Sequence, residues 1–315
     1  MNKENVLTGA VVSVNISREK GTPKESVANI SVDDAGIMGD AHAGNWHRQI
    51  SLLAMESVER FGADAGRAFS CGDFAENITT RGIDLMATSV FDRFTIGEVE
   101  LEVTQLGKKC HGDGCAIYQE VGQCVMPREG IFCRVLQGGA IKAGDAIRYR
   151  PFTLKCRIIT LSDRAHQGVY EDLSGPRVQE RLEAYFAGKR WRPQITLELL
   201  PDDAERLREA LVAARNEDAA LIITTGGTGI GPRDITPEVV TALADKIIPG
   251  IMEHIRVAYG ATKPNALLSR SVAAVIGETL VYTLPGSVKA VDEYMNEITK
   301  NLEHILLMLH GLDAH

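Results

Sequence analysis

The run DAALIITTGGTGIGPRDITPE, Asp218–Glu238, decides the fold of the second half of this 315-residue chain. A continuous apolar segment ends in two threonines, then a glycine-dense loop, then Thr236 and Pro237, which together predict a capped helix start. An apolar run of this kind suits a strand of a parallel sheet covered on both faces. The same grammar continues outward. LKCRIITLS, QITLELLP and TLVYTLPG predict strands, and RVQERLEAYFA and DAERLREALVAARN predict helices. From Ser287 to Leu309 apolar residues step by three and four, predicting one long amphipathic helix. Strand–helix alternation of this kind predicts a three-layer, doubly wound α/β domain over 151–315.

In such a sheet, ligands bind beyond the carboxyl ends of the strands. Gly226, Gly227 and Gly229 permit close backbone approach and positive φ, and successive N–H groups there can form an anion nest without a lysine. Thr225 and Thr228 offer hydroxyl donors. A plain glycine-rich turn between strand and helix is the alternative. Asp234 is the odd residue in the run, because a carboxylate about 4 Å from a phosphate costs roughly 4 kcal/mol at a surface-like dielectric. Mg²⁺ removes the conflict by taking oxygens from both. Asp202 and Asp203 follow another strand end, where they either share that cation or simply favour a helix N-terminus. A third strand end brings Ser162, Asp163 and Arg164 to the same rim.

Residues 1–150 read differently. VVSVNIS, VFDRFTIGEVELEVTQL and GIFCRVLQGGAIKAGDAIRYR are short alternating runs punctuated by glycine, which favours a mainly-β barrel or sandwich. One helix is expected at LLAMESVERFGADAG, with Leu52, Leu53, Met55, Val58 and Phe61 on its apolar face. Asp40, His42, His47 and Arg48 cluster within one stretch, as an anion pocket or as a capped surface loop. In KKCHGDGC, Lys108 and Lys109 precede Cys110, and neighbouring cations raise a thiol's thiolate content. Zinc or an iron–sulfur cluster is the alternative use of such cysteines, although no CxxC pair is present. Cys133 and Cys156 sit in strand runs and are expected to be buried. No role for Cys115 or Cys124 follows from their spacing.

Hydrophobic residues make up 44% and charged residues 24% of the chain, an ordinary globular composition. A net charge of −8 argues against nucleic-acid and anionic-membrane partners. No apolar run approaches a membrane span and the first residues read as a strand, so a cytoplasmic protein is expected.

TTGGTGIGPRDITPE, LSDRAHQGVYED, LLPDD, LLSR and LPGS together resemble the molybdopterin adenylyltransferases of molybdenum cofactor biosynthesis. The resemblance spans about residues 155–312. It implies AMP transfer from Mg-ATP to the terminal phosphate of molybdopterin, with pyrophosphate released. It implies that Gly226, Gly227, Thr228 and Gly229 embrace phosphates, that Asp234 and Asp202 are catalytic and hold Mg²⁺, and that Ser162 and Asp163 join the site. Ser269 and Arg270 would meet the pterin phosphate, and Pro285 and Gly286 the nucleotide. A homo-oligomer, trimeric or hexameric, is also implied. Over residues 5–148, GIMGD, GDFAENITT and the lysine–cysteine segment resemble the MOSC domain of molybdenum cofactor sulfurases. That resemblance implies cofactor binding or sulfur carriage, with Cys110, Arg48 and Asp40 as the candidates, and a molybdenum insertion protein or a molybdoenzyme as partner. Two other functions stay open: a non-catalytic cofactor carrier, and a competence-damage-type nucleotide pyrophosphatase. The latter usually carries a paired DD in place of Arg233-Asp234.

Overall fold

A computed structural model describes residues 7–108 and 124–312. The chain divides into two compact units, Met1–Phe152 and Thr153–His315. Cys110 and Cys115 lie outside the described residues. No helix among the described residues is long and apolar enough to cross a membrane.

The first unit contains β1 (Leu7–Ile16), β2 (Glu25–Val27), β3 (Asn29–Asp33), β4 (Gly36–Ile37), β5 (Ile50–Ala54), α1 (Met55–Ala65), β6 (Ile78–Arg81) and β7 (Arg93–Ile96). It continues with β8 (Val99–Leu106), α2 (Met126–Glu129), β9 (Ile131–Gln137), β10 (Gly139–Lys142) and β11 (Ala146–Arg150). Seven strands run in the order β11-β7-β8-β9-β5-β6-β1, and β1 pairs back to β11, so the sheet closes into a barrel. Closure removes the exposed edges that an open sheet must protect. Strand alternation divides the apolar residues between two clusters. Leu52, Ile131 and Cys133 fill the barrel core, whereas Leu53 and Phe132 pack with Val58 and Phe74 beneath α1.

This alternation corrects the expected helix over 52–66. Leu52 and Leu53 belong to β5, and the helix begins at Met55. Both faces of β5 are buried, so its apolar run carries no two-residue period to distinguish it from a helix.

The second unit contains β12 (Leu154–Leu161), α3 (Asp163–His166), α4 (Ser174–Phe186), β13 (Pro193–Leu200), α5 (Ala204–Asn216), β14 (Leu221–Thr225) and α6 (Thr236–Leu243). There follow β15 (Lys246–Ile247), α7 (Pro249–Gly260), β16 (Ala273–Ile276), β17 (Thr279–Leu284), α8 (Val288–Ile298) and α9 (Leu302–Leu309). The sheet order is β13-β12-β14-β17-β16-β15. The first four strands are parallel, and β16 and β15 add an antiparallel edge. Ile159, Leu161, Ile222 and Val281 meet Leu207 and Leu211 of α5 and Val239 and Val240 of α6 on one face. Helices α4 and α8 pack on each other, on β12 and on β17, completing the three layers.

The single long C-terminal helix is also corrected. Lys300 and Asn301 bond three residues back, to Glu297 and Ile298, and the Thr299 hydroxyl donates to the Met295 carbonyl. This tightened turn ends α8 and separates it from α9.

Candidate active site at the carboxyl edge of the sheet

Three parallel strands end on one rim. After β12, Ser162 caps α3, its Oγ accepting the Ala165 N–H at 3.2 Å and lying 2.7 Å from the Tyr170 hydroxyl. After β13 the two aspartates divide the alternatives. Asp203 is the helix cap, accepting the Arg206 N–H at 2.9 Å. Asp202 turns instead to Asp163, donating its N–H to Asp163 Oδ1 at 3.0 Å and accepting the Asp163 N–H at 3.2 Å.

After β14, Gly226 and Gly227 take φ of +103° and +61°. A Cβ at Gly226 would sit 2.2 Å from the Leu161 carbonyl oxygen, and one at Gly227 would sit 2.5 Å from Thr236 Oγ1. Thr236 is the first residue of α6 and not its cap: its hydroxyl donates to the Gly226 carbonyl at 2.9 Å. The Thr225 hydroxyl is likewise committed, to the Pro285 carbonyl at 3.1 Å, so it is no donor to a ligand. Asp234 Oδ2 accepts the Gly231 N–H at 2.7 Å, folding the carboxylate back under its own loop.

These ends enclose a cavity of about 610 Å³. Ser162, Asp163, Asp202, Gly227, Asp234 and Gly286 line it. Gly226, Thr228, Gly229 and Pro285 belong to the surrounding frame. Arg270 braces the loop from outside the cavity: Nε donates to the Gly229 carbonyl at 2.6 Å, Nη2 to the Asp234 carbonyl at 2.7 Å, and Nη1 pairs with Glu238. Ser269 Oγ accepts the Tyr294 hydroxyl at 2.9 Å. Ser269 and Arg270 line a second cavity, of about 350 Å³, with Met252 and Arg256. The structure therefore separates the expected site residues into two adjoining hollows.

Burial raises the Asp202 carboxyl above the usual range, and the negative charge of Asp234 adds to the effect. Two carboxylates that repel each other across a cavity fit a hard divalent cation. Among the described residues no group of three His, Cys, Asp or Glu side chains forms a metal site. That donor set suits Mg²⁺, which is commonly held by one or two carboxylates together with substrate phosphates. Sequence reasoning missed Tyr170, Asp172 and Arg233, which also line the cavity. Tyr170 and Asp172 lie within the run LSDRAHQGVYED, and Arg233 adjoins Asp234, so their positions carried the signal.

In the barrel unit, Asp40 is buried and fully engaged. It pairs with Lys24 and with His42 Nδ1 at 3.2 Å, and it accepts the Ser17 N–H and the Asn77 amide, each at 3.1 Å. Burial opposes its ionisation, but the His42 and Lys24 hydrogen bonds outweigh that and hold the carboxyl well below the usual range. Arg48 is half-buried with its guanidinium 4.8 Å from the Trp46 ring centroid. Its Nε makes no hydrogen bond among the described residues. Cys124 packs against the cluster under α1, and Cys133 and Cys156 are buried in strands, as the alternation predicts.

A closed barrel joined to an α/β domain with a glycine loop and two aspartates at its strand ends defines a protein of two units, one mainly β and one α/β. The chain belongs to the family described as "probable molybdopterin binding domain", matched over residues 157–304, and carries a MOSC domain matched over 39–148. A molybdopterin adenylyltransferase of Helicobacter pylori is 32% identical over 160 residues, covering 50% of this chain and 89% of that protein. Molybdenum cofactor biosynthesis protein B of Bacillus cereus is 37% identical over 164 residues, covering 51% and 93%. A solved structure of the molybdopterin biosynthesis Mog protein from Mycobacterium ulcerans is 37% identical, covers 49% of this chain and 98% of that one, and superposes with a TM-score of 0.46.

Proposed function

We propose that this protein acts in molybdenum cofactor biosynthesis and that its second unit transfers AMP from Mg-ATP to molybdopterin. The observation that carries the reading is that Asp202 and Asp234, from two different strand ends, line one cavity together with Gly227 of a lysine-free glycine loop. Backbone N–H groups of the loop hold the nucleotide phosphates. Mg²⁺, when bound, supplies the countercharge between the phosphates and the two carboxylates. Asp163 sets the position of Asp202 through their paired hydrogen bonds, and Arg270 sets the position of the loop. Ser269 offers the pterin phosphate a place in the second hollow, whose Arg270 is held by the glycine loop and Glu238. The terminal phosphate oxygen of molybdopterin then attacks the α-phosphorus of ATP and pyrophosphate leaves. Catalysis here rests on alignment and charge complementarity.

For the MOSC unit we infer binding of the pterin cofactor, with Cys110 as the sulfur carrier and Arg48 as a cofactor contact. A fused pair of sites raises the effective concentration of one unit's product at the other, into the millimolar range for short linkers.

The test is purified protein incubated with molybdopterin and Mg-ATP and followed for adenylylated pterin and pyrophosphate. Pyrophosphate without adenylylated pterin points to nucleotide hydrolysis, and binding without either product to a carrier. For the MOSC unit, Cys110→Ser abolishes any persulfide seen by mass spectrometry; a persulfide that survives it assigns another cysteine.

A further inference from the structure

Asp163, Glu171, Asp202 and Asp234 bring carboxylates to the larger cavity, Asp163 from the first turn of α3. Asp172 is there too, but its oxygens are spent on the start of α4, accepting from Ser174, Gly175 and Thr160. Of the two arginines on the wall, Arg164 lies over the Tyr170 ring at 4.9 Å. The other, Arg233, is ion-paired with Asp163 Oδ2.

We propose that Arg233 is a two-position residue: in the nucleotide-free protein it pairs with Asp163 and competes with a divalent cation for the acidic cluster, and on nucleotide binding it leaves Asp163 for the polyphosphate. This rests on the nucleotide reading of the cavity. Four observations support it. The Arg233 side chain is 67% exposed and Asp163 only 14%, so the arginine is the partner that water can take up when the pair opens. Its new partner takes a guanidinium fork in two parallel hydrogen bonds, which a single carboxylate oxygen does not. After the exchange the Asp202 N–H still holds Asp163 Oδ1, and the vacated Oδ2, which is buried and has no hydrogen-bond donor among the described residues, is the oxygen left for a cation. Finally, the neighbouring backbone is pinned, since the Asp234 N–H bonds to Gly231 and its carbonyl to Arg270, so only the side chain has to move.

The experiment compares the full chain with Arg233→Ala, Arg233→Lys and a control, Arg208→Ala, outside the cavity. Mn²⁺ alone is titrated by electron paramagnetic resonance, and Mg-ATP by calorimetry. Arg233→Ala is expected to bind Mn²⁺ several-fold more tightly and Mg-ATP about tenfold more weakly, the size of one charge-assisted contact. Arg233→Lys recovers part of both shifts and Arg208→Ala shows neither. Unchanged affinities, or a parallel loss of both, overturn the proposal while wild-type Mg-ATP binding remains normal. A wild-type chain that binds no Mg-ATP overturns the nucleotide reading and this proposal with it.

Discussion

Asp163 and Asp202, 39 positions apart in sequence, clasp each other through two reciprocal hydrogen bonds, each backbone N–H donating to the other's carboxylate at 3.0 and 3.2 Å. The clasp joins the ends of β12 and β13 and aims Asp202 toward Asp234. Negative charge is thereby concentrated at one part of the rim, and burial together with the Asp234 charge raises the Asp202 carboxyl.

Removing either charge of the opposing pair is expected to remove the chemistry and spare the scaffold. Asp234→Asn keeps an oxygen for the Gly231 N–H, so the loop is retained. AMP transfer should fall by about 10²–10³-fold, as for loss of one electrostatic element of an active site, while molybdopterin binding is kept. Transfer at near the wild-type rate would remove Asp234 from the metal role.

Arg270 holds two loop carbonyls and Glu238 in a fork that lysine cannot reproduce. Arg270→Lys and Arg270→Ala should therefore loosen residues 226–234 alike. Faster amide exchange confined to that loop, with a lower kcat/KM, is the expected readout. Exchange unchanged from wild type would mean that Arg270 is not the brace.

Gly226→Ala meets two penalties, a φ of +103° and a Cβ 2.2 Å from the Leu161 carbonyl oxygen. A loss of at least about 1–3 kcal/mol is expected from the backbone strain alone. Gly250, in the first turn of α7, has nothing within 4 Å of an added Cβ, so Gly250→Ala should be stabilising, by about 0.4–1 kcal/mol. Urea unfolding midpoints of the two variants test the contrast.

Glu76 is completely buried in the barrel unit, where Oε1 accepts the Gly72 N–H and the Thr79 hydroxyl. Burial raises its carboxyl above the ordinary 4.5. The folded state thus holds the proton more tightly than the unfolded chain. That stabilisation is fully present below pH 4.5 and is lost as the pH rises through the raised folded value. Glu76→Gln lacks this titration, so its stability should gain on wild type as the pH rises across that window. Thermal melts from pH 4 to pH 8 would expose a parallel pair of curves if Glu76 stays ionised throughout.

Much of the α/β unit was legible because its central strands are covered on both faces and its helices carry one apolar stripe. Local chemistry was legible wherever a residue was out of place, as Asp234 is in a glycine loop. Local reading failed where a residue's role depends on a distant partner. Thr236 looks like a cap, but Gly226 claims its hydroxyl; Arg270 looks like a phosphate ligand, but two loop carbonyls and Glu238 claim its guanidinium. Leu52 and Leu53 looked helical because two separate apolar clusters bury both faces of β5.

The sequence by itself determined the periodicities, the glycine positions that no side chain can fill, and the motifs that mark the two families. Only the tertiary structure decided which aspartate of the Asp202-Asp203 pair caps a helix and which faces the cavity. It also decided that Asp40 is consumed by Lys24 and His42, and that Arg233 reaches Asp163. The physical reason is one of range. Backbone preference acts between neighbours in sequence, whereas a charge or a hydroxyl is committed by whichever partner the fold brings within hydrogen-bonding distance.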